Sequence, residues 1–245
     1  MMIPMTKGKL TGLCIIADVM GSRSDDKKQE LRQIVDMIND HYGTKCLTRF
    51  VIRNGDELFG ILRYLSDGYG VIKLLFEQSE LIKIPLYVGI GIGYVNQEDL
   101  HNPHEVNGTA VWSAADALHA VKSNRTGAGR QITVRRTFKF DIQSTEELEI
   151  PTESLNYMLF FLFERMQKRT EKQREIIRTL EATPEEMVHY DWIGEQVGYD
   201  SNKSVNVSKM LQRADYHLIA GAEQSLITLL EYIQNQIKKR GPEGA

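Results

Sequence analysis

Asp18 lies near the end of an apolar run, Leu10 to Met20, that reads as a strand, and Asp56 and Glu57 stand at the tip of two further runs that meet at Asn54-Gly55. If these strands lie side by side, Asp18 and Asp56 become two acidic side chains at neighbouring strand ends. Hard divalent cations take oxygen ligands, and Mg²⁺ is usually held by one or two carboxylates together with phosphate oxygens. The chemistry open to such a pair is metal-assisted handling of nucleotide phosphates. Each acid also has a simpler reading, Asp18 as an acid at a helix start and Asp56 as a turn residue of a hairpin.

A second set of charges is basic. From Ala117 to Phe140 there is no Asp or Glu, whereas Lys122, Arg125, Arg130, Arg135, Arg136 and Lys139 all fall there. These cations suit phosphate contact, and they equally suit an edge strand whose charges discourage pairing with another chain. His101 and His104 flank Asn102-Pro103 in a polar loop without a thiol or carboxylate cluster, so no zinc site is expected from them.

The elements that must position these residues follow from periodicity. A strand over Leu10–Met20 leads to Ser24-Asp25-Asp26, an N-cap with early negative charge for a helix reaching about His41. Leu31, Ile34, Val35 and Ile38 give that helix one apolar face. Cys46–Arg53 and Leu58–Leu62 flank Asn54-Gly55, the strongest short hairpin signal, because a tight turn there needs positive φ at both residues. A helix over about Val71–Leu81 and a strand over Leu86–Val95 complete the order β-α-β-β-α-β. Gly89, Gly91 and Gly93 lie inside that last strand and lack the spacing of a dinucleotide fingerprint, so they mark a close approach by a ligand or a neighbouring helix. An amphipathic helix over Gly108–Val121 and a strand over Gln131–Phe140 follow.

After Pro151 the pattern becomes helical. Leu155, Met158, Leu159, Leu162, Phe163 and Met166 form one stripe, and Ile176, Ile177 and Leu180 another, which reads as a connecting helix over 150–182. Tyr190–Val197, a turn at Gly198, Asn202–Ala214 and a long amphipathic helix over Ala222–Ile237 then give the pattern of a helix-turn-helix. Between Ser201 and Ala214 there are three basic residues and no acid. Asn202, Lys203, Asn206, Lys209, Gln212 and Arg213 would face a DNA groove from its second helix, since Asn, Gln and Arg can read base edges. Acids at Glu185, Glu186, Asp191, Glu195 and Asp200 lie close in sequence, so a monomer should bind weakly. Contact with a protein partner and a purely structural role are the other readings of this domain. Trp192 and Tyr216 sit at apolar positions and are expected in the core of this region.

Composition bounds the class. The chain has 245 residues, 42% hydrophobic and 26% charged, with a formal net charge of -3, so it forms one large or two modest globular domains without a global basic field. Cys14 and Cys46 both fall on expected core strands, so reduced thiols and a cytoplasmic location are expected. Residues Met1–Lys9 lack a cleavable signal pattern and Leu10–Val19 is too short to span a bilayer, so no membrane role is expected.

The order of these motifs resembles the GGDEF and class III nucleotidyl cyclase superfamily. The residues that carry the resemblance are Asp18 after the first strand, Gly55-Asp56-Glu57-Leu58-Phe59 on the hairpin, and Val88-Gly89-Ile90-Gly91-Ile92-Gly93 on the later strand. Ala114-Ala115-Asp116-Ala117-Leu118 with Lys122 follows on a helix, and Ile38-Asn39-Asp40-His41-Tyr42-Gly43 is similar to the helix-ending motif. With its C-terminal helix-turn-helix, the whole chain is most similar to the SatD family of bacterial proteins. The resemblance implies an α+β fold with a palm-like, ferredoxin-like domain over 1–145, a connecting helix over 150–182 and a helix-turn-helix domain over 183–245. It implies that Asp18, the carbonyl of Val19 and Asp56 hold Mg²⁺ or Mn²⁺, with Glu57 as a supporting acid, so that Asp18, Asp56 and Glu57 form the catalytic set. Ser22 and Arg23, at a helix start, together with Lys122 and Arg125 would contact the phosphates of a nucleoside triphosphate. Two palm domains face each other in such enzymes, which implies a homodimer. Asn54 stands in place of the motif's first glycine, and Met20-Gly21-Ser22-Arg23 replaces the acid-aromatic stretch of diguanylate cyclases, so cyclic-di-GMP synthesis is not implied. The expected function is a metal-dependent nucleotide-binding regulator, with nucleotidyl cyclase or transferase chemistry, coupled to DNA binding. The alternative is a non-catalytic regulator whose palm domain senses a nucleotide.

Overall fold

The computed structural model describes residues 9–21, 27–123, 133–135 and 137–240. The fold is α+β. It has a six-stranded mixed sheet and, among the described residues, eight α-helices. The chain divides into two compact units, one of residues 1–160 and 227–245, the other of residues 161–226.

The first unit holds the sheet. Strand β1 (Lys9–Val19) leads to helix α1 (Lys28–Tyr42), strands β2 (Cys46–Arg53) and β3 (Glu57–Leu62), helix α2 (Leu65–Leu81) and strand β4 (Leu86–Asn96). The expected β-α-β-β-α-β order is thus present. Helix α2 begins six residues before the expected Val71, because Leu65, Gly68 and Tyr69 are buried as part of its first turns. Gly68 lies so close to Leu13 that an added Cβ would clash with that side chain. β1 pairs antiparallel with both β3 and β4, and β2 pairs antiparallel with β3, giving the order β2-β3-β1-β4. The β2–β3 turn has φ of 52° at Asn54 and 94° at Gly55, the two positive angles that Asn-Gly supplies most cheaply.

Helix α3 (Thr109–Lys122) follows a loop, then strands β5 (Thr133–Arg135) and β6 (Phe138–Ser144). The single strand expected over Gln131–Phe140 is instead two short strands paired antiparallel, and the second runs parallel to β4. Phe138, Phe140 and Ile142 alternate toward the core and drive this arrangement, with Phe76 of α2 packed edge-on against Phe138 at 5.4 Å between centroids. Beyond Phe140 the outer edge of β6 is closed by a side chain: Asn156 accepts from the Ile142 amide at 2.9 Å and donates to the Ile142 carbonyl at 3.1 Å.

Residues 150–182 are two helices rather than one, α4 (Thr152–Gln167) and α5 (Glu171–Glu181). The break is a capping box: the Gln173 amide donates to Thr170 Oγ1 at 3.3 Å, and the Thr170 amide donates to Gln173 Oε1 at 2.8 Å. In the second unit α5 packs with α6 (Tyr190–Gln196) and α7 (Lys203–Arg213) around Ile176, Ile177, Leu180, Ile193, Val197, Val207 and Leu211. Gly198 turns the chain between α6 and α7 at φ 79°, and Gly194 lets the two helices approach until an added Cβ would meet the Lys203 backbone. Tyr216 packs on this core as expected, whereas Trp192 is exposed on α6.

The last helix, α8 (Tyr216–Arg240), is longer than the expected Ala222–Ile237, and its residues from Ile227 onward belong to the first unit. There Gln234 accepts from the Leu65 amide at 2.9 Å and donates to the Arg63 carbonyl at 2.9 Å, satisfying backbone groups at the start of α2. Among the described residues no helix is long and apolar enough to cross a membrane. Cys14 and Cys46 are free; burial raises the Cys14 thiol well above its ordinary value and pushes Cys46 up to about 11.

Candidate functional site

The site is built on one row of the sheet. Strand register puts Glu57 directly opposite Asp18, Tyr87 opposite Asp18 on its other side, Lys139 beside Tyr87, and Arg53 opposite Glu57. Partners in register share a face, and in β1 and β3 this face continues into the cluster of Cys14, Ile16, Phe59 and Ile61 that packs under α3. The row therefore lies at the end of the α3-covered face, where β1 stops and β3 and β4 begin.

Helix α3 reaches this row because from Gly89 to Gly93 β4 presents only glycines to it. A Cβ at Gly93 would come within 2.6 Å of the Ala110 nitrogen, one at Gly91 would fall on Ala110 and Ala114 backbone, and one at Gly89 on Ala114 and Leu118 backbone. Ala110, Ala114 and Leu118 thus step along the glycines at helical spacing. The next residue in that series is Lys122, and its Nζ closes on Asp18 Oδ2 in an ion pair. The glycines expected to mark a close approach do so, and the neighbour is a helix.

The electrostatics are unusual for a strand pair. Asp18 and Glu57 are like charges directly opposite one another, an arrangement that is destabilising by itself. Each has its own cation. Asp18 pairs with Lys122, while Arg53 donates to Glu57 Oε1 from Nε at 3.2 Å and Nη2 at 3.1 Å. Arg53 is held further by the Pro103 carbonyl, 3.1 Å from Nη1, and by the Phe59 ring, 3.6 Å from the guanidinium carbon to the centroid. Lys139 adds a third cation, with its Nζ 5.7 Å from the Tyr87 ring centroid. The two pairs differ in freedom: Arg53 is only 15% exposed in its side chain, Lys122 40%.

The remaining expected residues are distributed as follows. Val19 ends β1 with its side chain buried on the opposite face, which leaves only its backbone for ligation. Asp56 sits in the β2–β3 turn, half-buried, with no hydrogen bond or ion pair among the described residues. Ser22, Arg23 and Arg125 lie outside the described residues. Among the described residues no group of three or more His, Cys, Asp or Glu side chains is arranged to hold a metal ion. The donor chemistry at Asp18 and Glu57, two carboxylates on one face, is of the kind that could hold a hard divalent cation, although each carboxylate is paired with a side-chain cation. Arg53 and Tyr87 were not singled out as site residues from the sequence, whereas Lys139 belongs to the basic set read there as suited to phosphate contact or to an edge strand. The position of Arg53 just before Asn54-Gly55 was the available signal, because a short turn fixes the residues on either side of it as a pair.

In the second unit the set expected from the sequence to face DNA divides. Lys203 pairs with Glu195 at 3.2 Å, and Asn206 donates to the Ser201 carbonyl at 3.1 Å. Asn202, Lys209, Gln212 and Arg213 are exposed. Asp191, from the first turn of α6, accepts from the Ser204 amide at 3.0 Å and so caps α7, whose own N-cap residue Asn202 makes no side-chain cap.

Neither a protein-family model nor a curated protein matches the chain.

Proposed function

We propose that this protein is a nucleotide-responsive regulator. Its sheet unit binds a nucleoside triphosphate with Mg²⁺ or Mn²⁺ at Asp18, Asp56 and Glu57, and its helical unit binds DNA through a helix-turn-helix formed by α6 and α7. The observation that carries the reading is the pair of opposed carboxylates, Asp18 and Glu57, each matched to a separate cation at one sheet end. The strand order β2-β3-β1-β4 with its β-α-β-β-α-β connections agrees with a palm-like, ferredoxin-like domain.

In this reading Lys122 exchanges partners. It neutralises Asp18 when no ligand is bound and turns to a phosphate oxygen when a nucleotide enters, a movement suited to a flexible lysine stem. Arg53 stays on Glu57 and fixes its orientation. A divalent cation bound with the nucleotide would supply charge neutralisation for the phosphates. Nucleotidyl cyclase or transferase turnover, by the resemblance, would require two copies facing each other.

The test is incubation of the full chain with each ribonucleoside triphosphate and Mg²⁺ or Mn²⁺, followed by mass spectrometry of the products and a thermal melt of the same mixtures. A raised midpoint with a new cyclic or linked nucleotide supports an enzyme. A raised midpoint with unchanged nucleotide supports a non-catalytic sensor. No change in either would remove the nucleotide reading.

A further inference from the structure

Helix α7 turns Val207 and Leu211 inward, yet Val205, four residues before Lys209, is 51% exposed. At about 100° per residue, Val205 and Gln212 stand at the centre of the outward face, with Ser208 on one side and Lys209 and Asn202 on the other. All five are exposed.

The charge of this face is one-sided. From Ser201 to Ala214 the chain carries Lys203, Lys209 and Arg213 and no acid. Of the neighbouring acids, Asp191 caps α7 and Glu195 pairs with Lys203, both at the surface, and Asp200 stands exposed just before this stretch. Lys203 is tied to Glu195 and Asn206 to the Ser201 carbonyl, and the outward residues are a valine, two amides, a serine and a lysine.

That combination matches what a major groove presents. Amide side chains pair with adenine edges, lysine with guanine or phosphate, and the one apolar group on base edges is the thymine C5-methyl. Resting on the DNA-binding reading above, we infer that Val205 is a specificity-determining residue that packs on a thymine methyl in the major groove of duplex DNA. Asn202 and Gln212 would hydrogen-bond to neighbouring base edges, and Lys209 would sit at the phosphate side.

The experiment uses the full-length protein and a random-sequence duplex pool, with and without nucleoside triphosphate. Recovered duplexes are retested with each thymine replaced in turn by deoxyuridine, which removes only the methyl. For the parent, one thymine position per half-site should weaken binding about fourfold on replacement, the effect of one buried methyl group. Val205→Ser should lose that sensitivity while melting as the parent does, and Val205→Thr, which keeps one methyl and the side-chain shape, should retain part of it.

Three results would overturn the inference. Recovered sequences indifferent to deoxyuridine at every position would remove the role of Val205 and leave DNA binding standing. Equal sensitivity in the parent and Val205→Ser would do the same. No salt-sensitive recovery of any duplex, with or without nucleotide, would remove the DNA-binding reading and this inference with it.

Discussion

Lys122 Nζ closes on Asp18 across the end of the sheet, and the three glycines of β4 are what allow the helix carrying Lys122 to lie low enough to do so. Backbone packing and site electrostatics are therefore one problem in this protein. A side chain anywhere along Gly89, Gly91 and Gly93 would lift α3 from the strand and move its last turn away from Asp18.

Gly91→Val should accordingly be destabilising by more than overpacking alone, which costs about 1–3 kcal/mol. The obstacle is helix backbone, from Ala110 and Ala114, and backbone cannot rotate aside as a side chain can. Urea denaturation of the variant measures the loss. Parent-like stability would mean that α3 does not rest on β4 as described.

Arg53 and Glu57 should show coupling. Arg53→Ala leaves Glu57 opposite Asp18 without its cation and removes the contacts to the Pro103 carbonyl and the Phe59 ring, an expected loss of about 1–3 kcal/mol. Adding Glu57→Gln to that variant should recover part of the loss, because it relieves the like-charge pair. A double-mutant cycle reads the coupling directly, and additive losses would contradict it.

Asp141 gives a pH dependence. It is 3% exposed on β6, accepts from Asn156 Nδ2 at 2.9 Å and Gln143 Nε2 at 3.0 Å, and burial holds its carboxyl above the ordinary carboxylate range despite these bonds. A raised folded value means that the folded state holds this proton more tightly than the unfolded chain does. The stability it contributes is complete below the unfolded value, about 3.9, and is lost as pH rises through the folded value. Asp141→Asn should remove this component, so the difference in stability between variant and parent should grow in the variant's favour from pH 4 upward. Chemical denaturation at several pH values checks it, and parallel curves would contradict it.

Much of this architecture was legible in the chain. Leu31, Ile34, Val35 and Ile38 marked the buried face of α1, and Asn54-Gly55 marked the turn of the β2–β3 hairpin. These are local signals, set by helical period and by φ. What was not legible depends on distant pairing. Asp56 is adjacent in sequence to Glu57, and only the register between β1 and β3 decides that Glu57 is the residue opposite Asp18. The tethering of the last helix by Gln234 likewise joins residues 169 positions apart in the chain. Thr170 and Gln173 are different, because Thr-x-x-Gln is a local capping signal and was available to divide the helical stretch over 150–182.

In the proposed function Lys122 exchanges between Asp18 and phosphate, and Lys122→Ala separates the two halves of that exchange. Without the competing ammonium, Mn²⁺ alone should bind Asp18 more tightly than in the parent, while binding of a nucleoside triphosphate with Mn²⁺ should weaken. The direct measurement is a calorimetric titration of parent, Lys122→Ala and Asp18→Ala with Mn²⁺ alone and then with each ribonucleoside triphosphate at saturating Mn²⁺. Opposite signs for the two ligands in Lys122→Ala, with both lost in Asp18→Ala, are the expected result; equal nucleotide affinity in all three proteins would contradict the claim.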